Sequence, residues 1–216
     1  KPDYALLAIG TDMKISIGNR GRVDIYVTVK GKATHSSNPE AGLSAIDGAY
    51  EVMKRISEID VNEKHPLLGK QQLKVYQIVY DPVAPHTLPE TAKLTLDRRL
   101  IPKDDIGKAV EEVKEALSHL EPYEISVKQG VYMLPSLTEK DSTIVTGLKE
   151  VGRKVLGKQL STYYSTSTFD AGGLTSKDIP TVMFGASGGS EDILGDDYVA
   201  IRDVEKETEI ISSLIL

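Results

Sequence analysis

The feature that most constrains the fold is the order of hydrophobic patterns between about residues 22 and 128. Alternation of apolar and polar side chains indicates strands, and apolar side chains at every third or fourth position indicate helices. The patterns run strand, helix, strand, strand, helix, strand. This β-α-β-β-α-β order is typical of a ferredoxin-like α+β domain, in which two helices cover one face of an antiparallel sheet.

Capping residues and prolines delimit these elements. We expect Asn38 to be the N-cap of the first helix, with Pro39 at its first helical position. Asp104 is expected to cap the second helix. The apolar side chains that predict the first helix are Leu43, Ile46, Ala49, Met53 and Ile56.

The two ends of the chain differ from the middle. Residues 4–9 and 179–184 are apolar runs typical of buried strands, and a glycine-rich turn follows the second. Helices are expected over 141–157 and 203–216. We expect the run at 4–9 to belong to an α/β domain with the C-terminal elements, but to have no sheet to join unless further residues precede it.

Composition narrows the class of protein. The chain has 216 residues, is 40% hydrophobic and 27% charged, and contains no cysteine, which excludes disulfides and thiolate metal sites. Its net charge of −6 disfavours nucleic-acid binding. No apolar run approaches the ~20 residues that span a bilayer, and no secretion leader opens the chain. We therefore expect no membrane partner and a cytoplasmic location.

His35 is the most suggestive single residue, because it follows a strand and lies in a loop of small polar residues. An imidazole there can reach a ligand, and the alternative is an ordinary exposed loop histidine. Arg98 and Arg99 end a later strand on opposite faces. One of them can bind a carboxylate, and the alternative is a surface ion pair with Asp97.

Glycine residues follow the apolar strand that ends at Phe184. Glycines at the carboxyl end of a strand mark a common ligand site in α/β sheets, although Gly185–Gly189 could also be a plain turn. Acidic pairs at 191–192 and 196–197 are more typical of solvated surface than of metal ligands. The four histidines, His35, His65, His86 and His119, are not at ligand spacing.

Several segments in order together resemble the di-zinc amidohydrolases, a family that includes acetylornithine deacetylase, succinyl-diaminopimelate desuccinylase, aminoacylase and related carboxypeptidases. The resemblance implies a partial α/β catalytic domain (residues 1–20 and 131–216) with an inserted ferredoxin-like lid or dimerisation domain (residues 21–130). The matching segments are Gly21–Ile46, Leu88–Pro102, Phe169–Gly172, Asp178–Gly185 and Asp196–Ile201.

The resemblance also implies roles for residues. His35 would reach the active site of a partner subunit and stabilise the oxyanion of the tetrahedral intermediate. Arg99 would bind the substrate carboxylate, and Gly185, Gly188 and Gly189 would form the substrate-facing loop. His86 stands where many members carry an asparagine before the Leu/Ile-Pro pair, and we place it among the substrate-binding residues. The implied substrate is a small N-acyl amino acid or peptide, the implied cofactor is a pair of zinc ions, or cobalt or manganese, and the implied assembly is a homodimer formed through the lid.

The chain departs from the family at its metal ligands. Gly10 is followed directly by Thr11, where the family has a Glu-Pro pair, and Ile193 stands where it has a histidine. The other ligands would lie before Lys1, so we assign no metal ligand to this chain. Two explanations stay open: part of an ordinary hydrolase, or an inactive relative that keeps the lid for pairing or ligand binding. A small-ligand sensor of the ferredoxin-like kind is a third possibility.

Overall fold

The computed structural model describes residues 1–190 and 197–215. It divides into two compact units. The first unit comprises Lys1–Gly21, Pro66–Leu68 and Met133–Leu216, and the second comprises Arg22–His65 and Gly69–Tyr132.

The strands are numbered in chain order. They are β1 (Ala5–Ala8), β2 (Ile15–Asn19), β3 (Gly21–Lys30), β4 (Thr34–His35), β5 (Lys64–His65), β6 (Gly69–Lys70), β7 (Gln72–Asp81), β8 (Thr87–Leu88), β9 (Thr91–Leu100), β10 (Glu124–Met133), β11 (Ser136–Leu137), β12 (Thr162–Ser165), β13 (Thr181–Phe184), β14 (Gly188–Ser190) and β15 (Asp197–Val199).

The helices are also numbered in chain order. They are α1 (Ala45–Glu58), α2 (Ile106–Leu117), α3 (Thr143–Leu156), α4 (Ala171–Thr175) and α5 (Ile201–Ile215), and a short 3-10 helix covers Pro39–Ala41. Among the described residues, none of these helices is both long and apolar enough to cross a lipid bilayer.

The second unit is the predicted βαββαβ domain. Its sheet has the strand order β10-β3-β9-β7. Alternate side chains of β3 and β9 point to one face and form a single core with the buried faces of α1 and α2. The β7 strand lies at the edge of the sheet and pairs antiparallel with β9, from Gln72 opposite Arg99 to Asp81 opposite Thr91, with a shift in register between Val75 and Gln77. The long, alternating strands explain why this unit was predictable.

The first unit is built on a mixed sheet with the path β1-β13-β2-β11, in which β12 also pairs with β2. The β1 strand pairs parallel with β13. Side chains of β2 and β13 form a core with α3 and α5. The α/β fold with an inserted ferredoxin-like unit is therefore confirmed, but the expectation that residues 4–9 lack a sheet to join is wrong.

Two helix starts differ from the predictions. The α1 helix begins after Ser44, whose hydroxyl accepts a hydrogen bond from the Asp47 N–H at 3.4 Å, and Asn38 only precedes the 3-10 turn without a side-chain cap. The α2 helix is capped by Asp105, whose Oδ1 accepts from the Lys108 N–H at 2.8 Å. Asp104 instead accepts from the Ile101 N–H at 2.8 Å, which closes the turn before the helix.

The buried face of α1 also differs from the predicted one. Ala49 and Ile56 face the core as expected, but Ile46 and Met53 are exposed. Small residues take their place, because the buried positions of α1 include Ala45 and Gly48. The helix therefore carries a second apolar stripe that the core of its own unit does not cover.

Candidate functional site

The glycine-rich segment after β13 is held in place by Thr11, which follows β1. The Thr11 hydroxyl accepts a hydrogen bond from the Gly185 N–H at 2.9 Å and donates to the Lys14 carbonyl at 2.6 Å. The Gly185 carbonyl accepts from the Met13 N–H at 2.9 Å. Thr11 is buried, so these bonds form away from water. A side chain that sequence reasoning treated only as the remnant of a metal motif thus fixes the predicted substrate loop.

Gly185 is required at its position by close backbone contact. A Cβ added to this residue would lie 2.2 Å from the carbonyl oxygen of Ile9, far inside van der Waals contact. One residue later, the Ala186 N–H donates to Glu207 Oε2 of α5 at 2.8 Å. The loop is therefore anchored from β1 on one side and from α5 on the other.

These anchors border a cavity of about 660 Å³ within the first unit. Gly188 and Gly189 line it, as the sequence predicted, and Gly185 lies one residue from its wall. Gly188 and Gly189 pair with Val199 and Tyr198 in the β14–β15 hairpin, so part of the predicted turn is a strand. The polar side chains around the cavity belong to Thr11, Asp12, Lys14, Tyr163, Tyr198 and Glu207.

Tyr163 supplies a hydrogen-bonding hydroxyl to this cavity. Burial raises the pKa of its phenol above the ordinary value of 10.0, a hydrogen bond with Ser16 lowers the pKa in part, and the nearby Asp12 carboxylate raises it. Because the net pKa shift is upward, the phenol is protonated and uncharged at neutral pH. The cavity thus contains a neutral hydroxyl beside acidic and basic groups.

The side chains at this cavity do not by themselves fit a zinc site. Its carboxylates are those of Asp12 and Glu207, and Glu207 is already bound to the Ala186 N–H. In the part of the chain that the structure describes, no group of three or more His, Cys, Asp or Glu side chains could hold a metal ion. A zinc site needs three or four such ligands. Ile193, the other departure from the family motif, lies outside the described residues.

His35 lies in the second unit, at the end of β4 in an exposed loop. Its Nδ1 accepts a hydrogen bond from the Ser37 N–H at 3.2 Å, and the Ser37 hydroxyl is 2.8 Å from the same nitrogen. A nitrogen that accepts from an N–H group carries no proton, so the neutral ring is protonated on Nε2. The Ser37 N–H therefore favours the tautomer of the neutral ring in which Nε2–H is the donor.

His86 is brought next to His35. The β4 and β8 strands pair with His35 opposite Thr87, and the Ser36 N–H donates to the His86 carbonyl at 2.7 Å. The two imidazole rings are 6.0 Å apart between centroids, with an angle of 37° between their planes. Gly31 permits close contact with the backbone of Leu43, because a Cβ on Gly31 would lie 2.1 Å from the Leu43 carbonyl oxygen. Two predicted site residues therefore share one surface of the second unit.

The two arginines of β9 are on opposite faces, as alternation predicted. Arg99 lies on the face without helices and forms an ion pair with Asp97, with its Nη2 and Nε at 2.7 and 2.9 Å from Asp97 Oδ2. The ion-pair alternative is therefore present in the structure, and carboxylate binding by Arg99 stays a prediction. Arg98 is buried on the core face, where its Nη2 binds Glu112 and Gln71.

A further surface of the second unit is apolar and exposed. We call it the edge surface and define it by side chains of α1 and of the edge strand β7, which pack together. Tyr50, for example, is 62% exposed in the middle of α1. The edge surface consists of Ile46, Tyr50, Met53, Ile78 and Tyr80, because Ile78 and Tyr80 pair with Leu94 and Ala92 on the helix-covered face of β9. An unpaired edge strand offers free backbone donors and acceptors as well as these side chains.

An α/β unit with an inserted helix-backed βαββαβ unit is the architecture that the sequence resemblance implied. The family model described as the peptidase dimerisation domain matches residues 17–124, half of the 216-residue chain. The chain belongs to this family, the M20 peptidase dimerisation domain.

Curated relatives cover the whole chain. It is 23% identical to succinyl-diaminopimelate desuccinylase from Aliarcobacter butzleri, with 99% of this chain and 59% of the relative aligned. It is 24% identical to acetylornithine deacetylase from Aliivibrio salmonicida, with 100% of this chain and 57% of the relative aligned. The chain thus spans less than two thirds of the length of these relatives.

Solved structures share the fold. An M20 family metallo-carboxypeptidase from Sulfolobus solfataricus superposes with a TM-score of 0.79 at 18% identity, over 100% of this chain and 63% of that protein. A tripeptidase from Staphylococcus aureus superposes with a TM-score of 0.75 at 18% identity, over 100% of this chain and 57% of that protein. At this level of identity the similarity establishes the fold alone.

Proposed function

We propose that the whole protein hydrolyses an amide bond in a small N-acyl amino acid or peptide, next to a free carboxylate. This chain would supply the lid and the glycine-loop wall of the substrate site. The observation that carries the proposal is the favoured tautomer of His35, in a chain that belongs to the M20 family. An exposed Nε2–H donor is the group that an oxyanion-stabilising histidine needs.

Each residue of this chain has a limited task in the proposal. His35 donates its Nε2–H to the oxyanion that develops when the amide carbonyl is attacked. Arg99 binds the substrate carboxylate in exchange for part of its contact with Asp97. Gly188 and Gly189 let the substrate approach the backbone closely, since neither has a side chain.

The proposed cofactor is zinc, or cobalt or manganese, which would activate water for attack on the amide. Its ligands would have to come from outside the described residues, because these contain no suitable cluster. No step assigned here to His35, Arg99 or the glycine loop passes through the metal.

The proposed assembly is a homodimer formed through the edge surface. A ten-residue edge strand, β7, can pair antiparallel with its copy in a second chain, and the stripe on α1 extends the same surface with apolar side chains. Contact of this kind would satisfy the backbone groups on the outer edge of β7 and bury Tyr50, Ile78 and Tyr80 together. In such a dimer His35 would act on the active site of the partner subunit.

Hydrolysis of N-acetyl amino acids by the full-length protein tests the catalytic role. His35→Ala is expected to lower kcat by about 10²-fold or more, because one oxyanion donor is lost, with a much smaller change in KM. The matched control is His119→Asn, which changes an exposed histidine of the same unit outside the His35 loop. An unchanged kcat in His35→Ala would rule out the oxyanion role.

A non-catalytic dimer that only binds ligand is the second candidate function. The lack of a metal-ligating cluster in residues 1–190 and 197–215 favours it. Metal analysis of the purified full-length protein separates the two candidates. Stoichiometric zinc supports the hydrolase, and its absence, together with no turnover of N-acetyl amino acids, supports the binding role.

A further inference from the structure

A second cavity, which we call the Arg98 cavity, lies entirely within the second unit. It has a volume of about 260 Å³ and is bordered by the end of β9, the first turns of α2 and the segment around Asp60 and Glu63. One water molecule takes up about 30 Å³ in the liquid, so a small organic ion has room there. Neither His35 nor Arg99 borders this cavity.

Arg98 borders this cavity, and part of its guanidinium group lacks hydrogen-bond partners. Its side chain is only 3% exposed. Its Nη2 binds Glu112 Oε2 at 3.0 Å and Gln71 Oε1 at 3.2 Å. Its Nε and Nη1 are buried and have no hydrogen-bond partner among the described residues. Buried guanidinium groups are normally paired, so unpaired N–H groups on Arg98 point to an acceptor that the chain itself does not supply.

Most of the carboxylates around the cavity are already occupied. Asp60 accepts from the Asn62 N–H, Asp105 from the Lys108 N–H, and Glu112 from Arg98. Asp104 accepts from Ile101 and from the Gln71 amide at 2.8 Å.

Glu63 is different, because it is exposed and its carboxylate has no hydrogen-bond or ion-pair partner in the described part of the chain. The cavity is therefore bordered by a guanidinium group with unpaired N–H groups on Arg98 and by a free carboxylate on Glu63.

The charge around the cavity decides between types of ligand. Arg98, Lys103 and Lys108 provide the positive charges, and the five carboxylates outnumber them. A simple anion would bind Arg98 but would meet an excess of negative charge, and a simple cation would leave the Arg98 donors unpaired. A molecule with one carboxylate and one ammonium group answers both requirements.

We propose that the Arg98 cavity binds a small zwitterion of the α-amino acid class, with its carboxylate on Arg98 and its ammonium group on Glu63. The proposal is independent of the proposed hydrolysis, because every residue involved belongs to the second unit and the test measures binding alone.

The test is an NMR titration of the ¹⁵N-labelled protein with three probes: glycine, acetate and methylamine. Glycine is expected to give saturable shifts of the Arg98 Nε–H signal and of the amides from Lys103 to Lys108. Acetate and methylamine each carry half of the zwitterion and are expected to bind at least about tenfold more weakly, since each loses a charged hydrogen-bonding group. Acetate binding as tightly as glycine would overturn the proposal in favour of a plain anion site.

Two variants assign the contacts. Arg98→Met and Glu63→Gln are each expected to weaken glycine binding about tenfold or more. Glu63 is exposed, so Glu63→Gln keeps the test decisive if Arg98→Met fails to fold. The matched control is Glu58→Gln, which changes an exposed carboxylate of the same unit outside the cavity. No saturable response to glycine would overturn the proposal outright, and equal glycine binding by Glu63→Gln and the parent protein would overturn the assignment of the ammonium group to Glu63.

Discussion

The two units build cores of similar chemistry from very different stretches of sequence. The core of the second unit uses residues that lie between Val23 and Leu120 without interruption by the other unit's core. The core of the first unit joins Ile15 and Ile17 to residues from Ile144 onwards. The contrast teaches that a core assembled from neighbouring segments can be predicted from local patterns, whereas one assembled across a long insertion depends on pairings that no local pattern contains.

The largest expected effect comes from matched truncations in the two cores. Leu96→Ala in the second unit and Leu148→Ala in the first remove fully buried side chains, so each should lower the free energy of unfolding by about 2–5 kcal/mol. Urea unfolding measures the loss, and hydrogen exchange locates it. Faster exchange is expected mainly in the unit that carries the substitution. Equal acceleration in both units would mean that the cores are not separate.

The edge surface belongs to the second unit, and we propose that this unit, rather than the first, contacts a second copy of the chain. Tyr50→Lys and Tyr80→Lys place charge in the proposed dimer interface and should weaken self-association by at least about 2 kcal/mol, as loss of a central aromatic anchor does. Sedimentation velocity measures the change. Ile215→Lys, at an exposed apolar position of the first unit, is the control. Dimers that survive both edge-surface substitutions would exclude this surface as the interface.

Two glycines of the first unit, Gly185 and Gly173, can be compared directly because alanine would be crowded at only one of them. Gly185→Ala forces a Cβ against the Ile9 carbonyl and should cost about 1–3 kcal/mol of stability. Gly173→Ala is the control, because its Cβ would have no neighbour within 4 Å and helix propensity favours alanine. Thermal unfolding of both variants checks the difference. A stable Gly185→Ala protein would show that the strand–loop contact can relax.

The smallest expected effect concerns the start of α1. Ser44→Ala removes the observed cap and should cost about 1 kcal/mol, whereas Asn38→Ala should cost much less because the Asn38 side chain makes no capping bond. Urea unfolding midpoints of the two variants measure the difference. The reverse order would restore the sequence-based prediction that Asn38 begins the helix.

Much of the second unit was predictable, because β3 and β9 alternate strictly and α1 and α2 have helical spacing. One missed element is β2 of the first unit, whose sequence Ile-Ser-Ile-Gly-Asn has only two apolar residues. All five β2 residues are nonetheless buried, because β11, β12 and β13 pair with this strand. Burial of this kind arises from distant partners, which explains why periodicity gave no signal.

The candidate site was predictable in part for the same reason. Gly188 and Gly189 were identified because they follow an apolar strand, and His35 because it follows another. Thr11 was not, since it acts through a hydrogen bond to Gly185 across 174 positions of sequence. Glu207 and Tyr163 likewise had no local motif. Side chains that hold a loop from a distant part of the sequence can be recognised only when the tertiary structure is known.

The parallel pairing of β1 with β13 has a consequence for folding during synthesis. Residues 5–8 leave the ribosome before the second unit, yet their partners at 181–184 emerge only after the whole second unit has been made. Since N-terminal parts of a chain fold as soon as they are complete, we expect the second unit to fold early while β1 waits unpaired. The apolar side chains of β1 would then be open to chaperones until residues 181–184 have been made, and any pause before residue 181 would prolong that exposure.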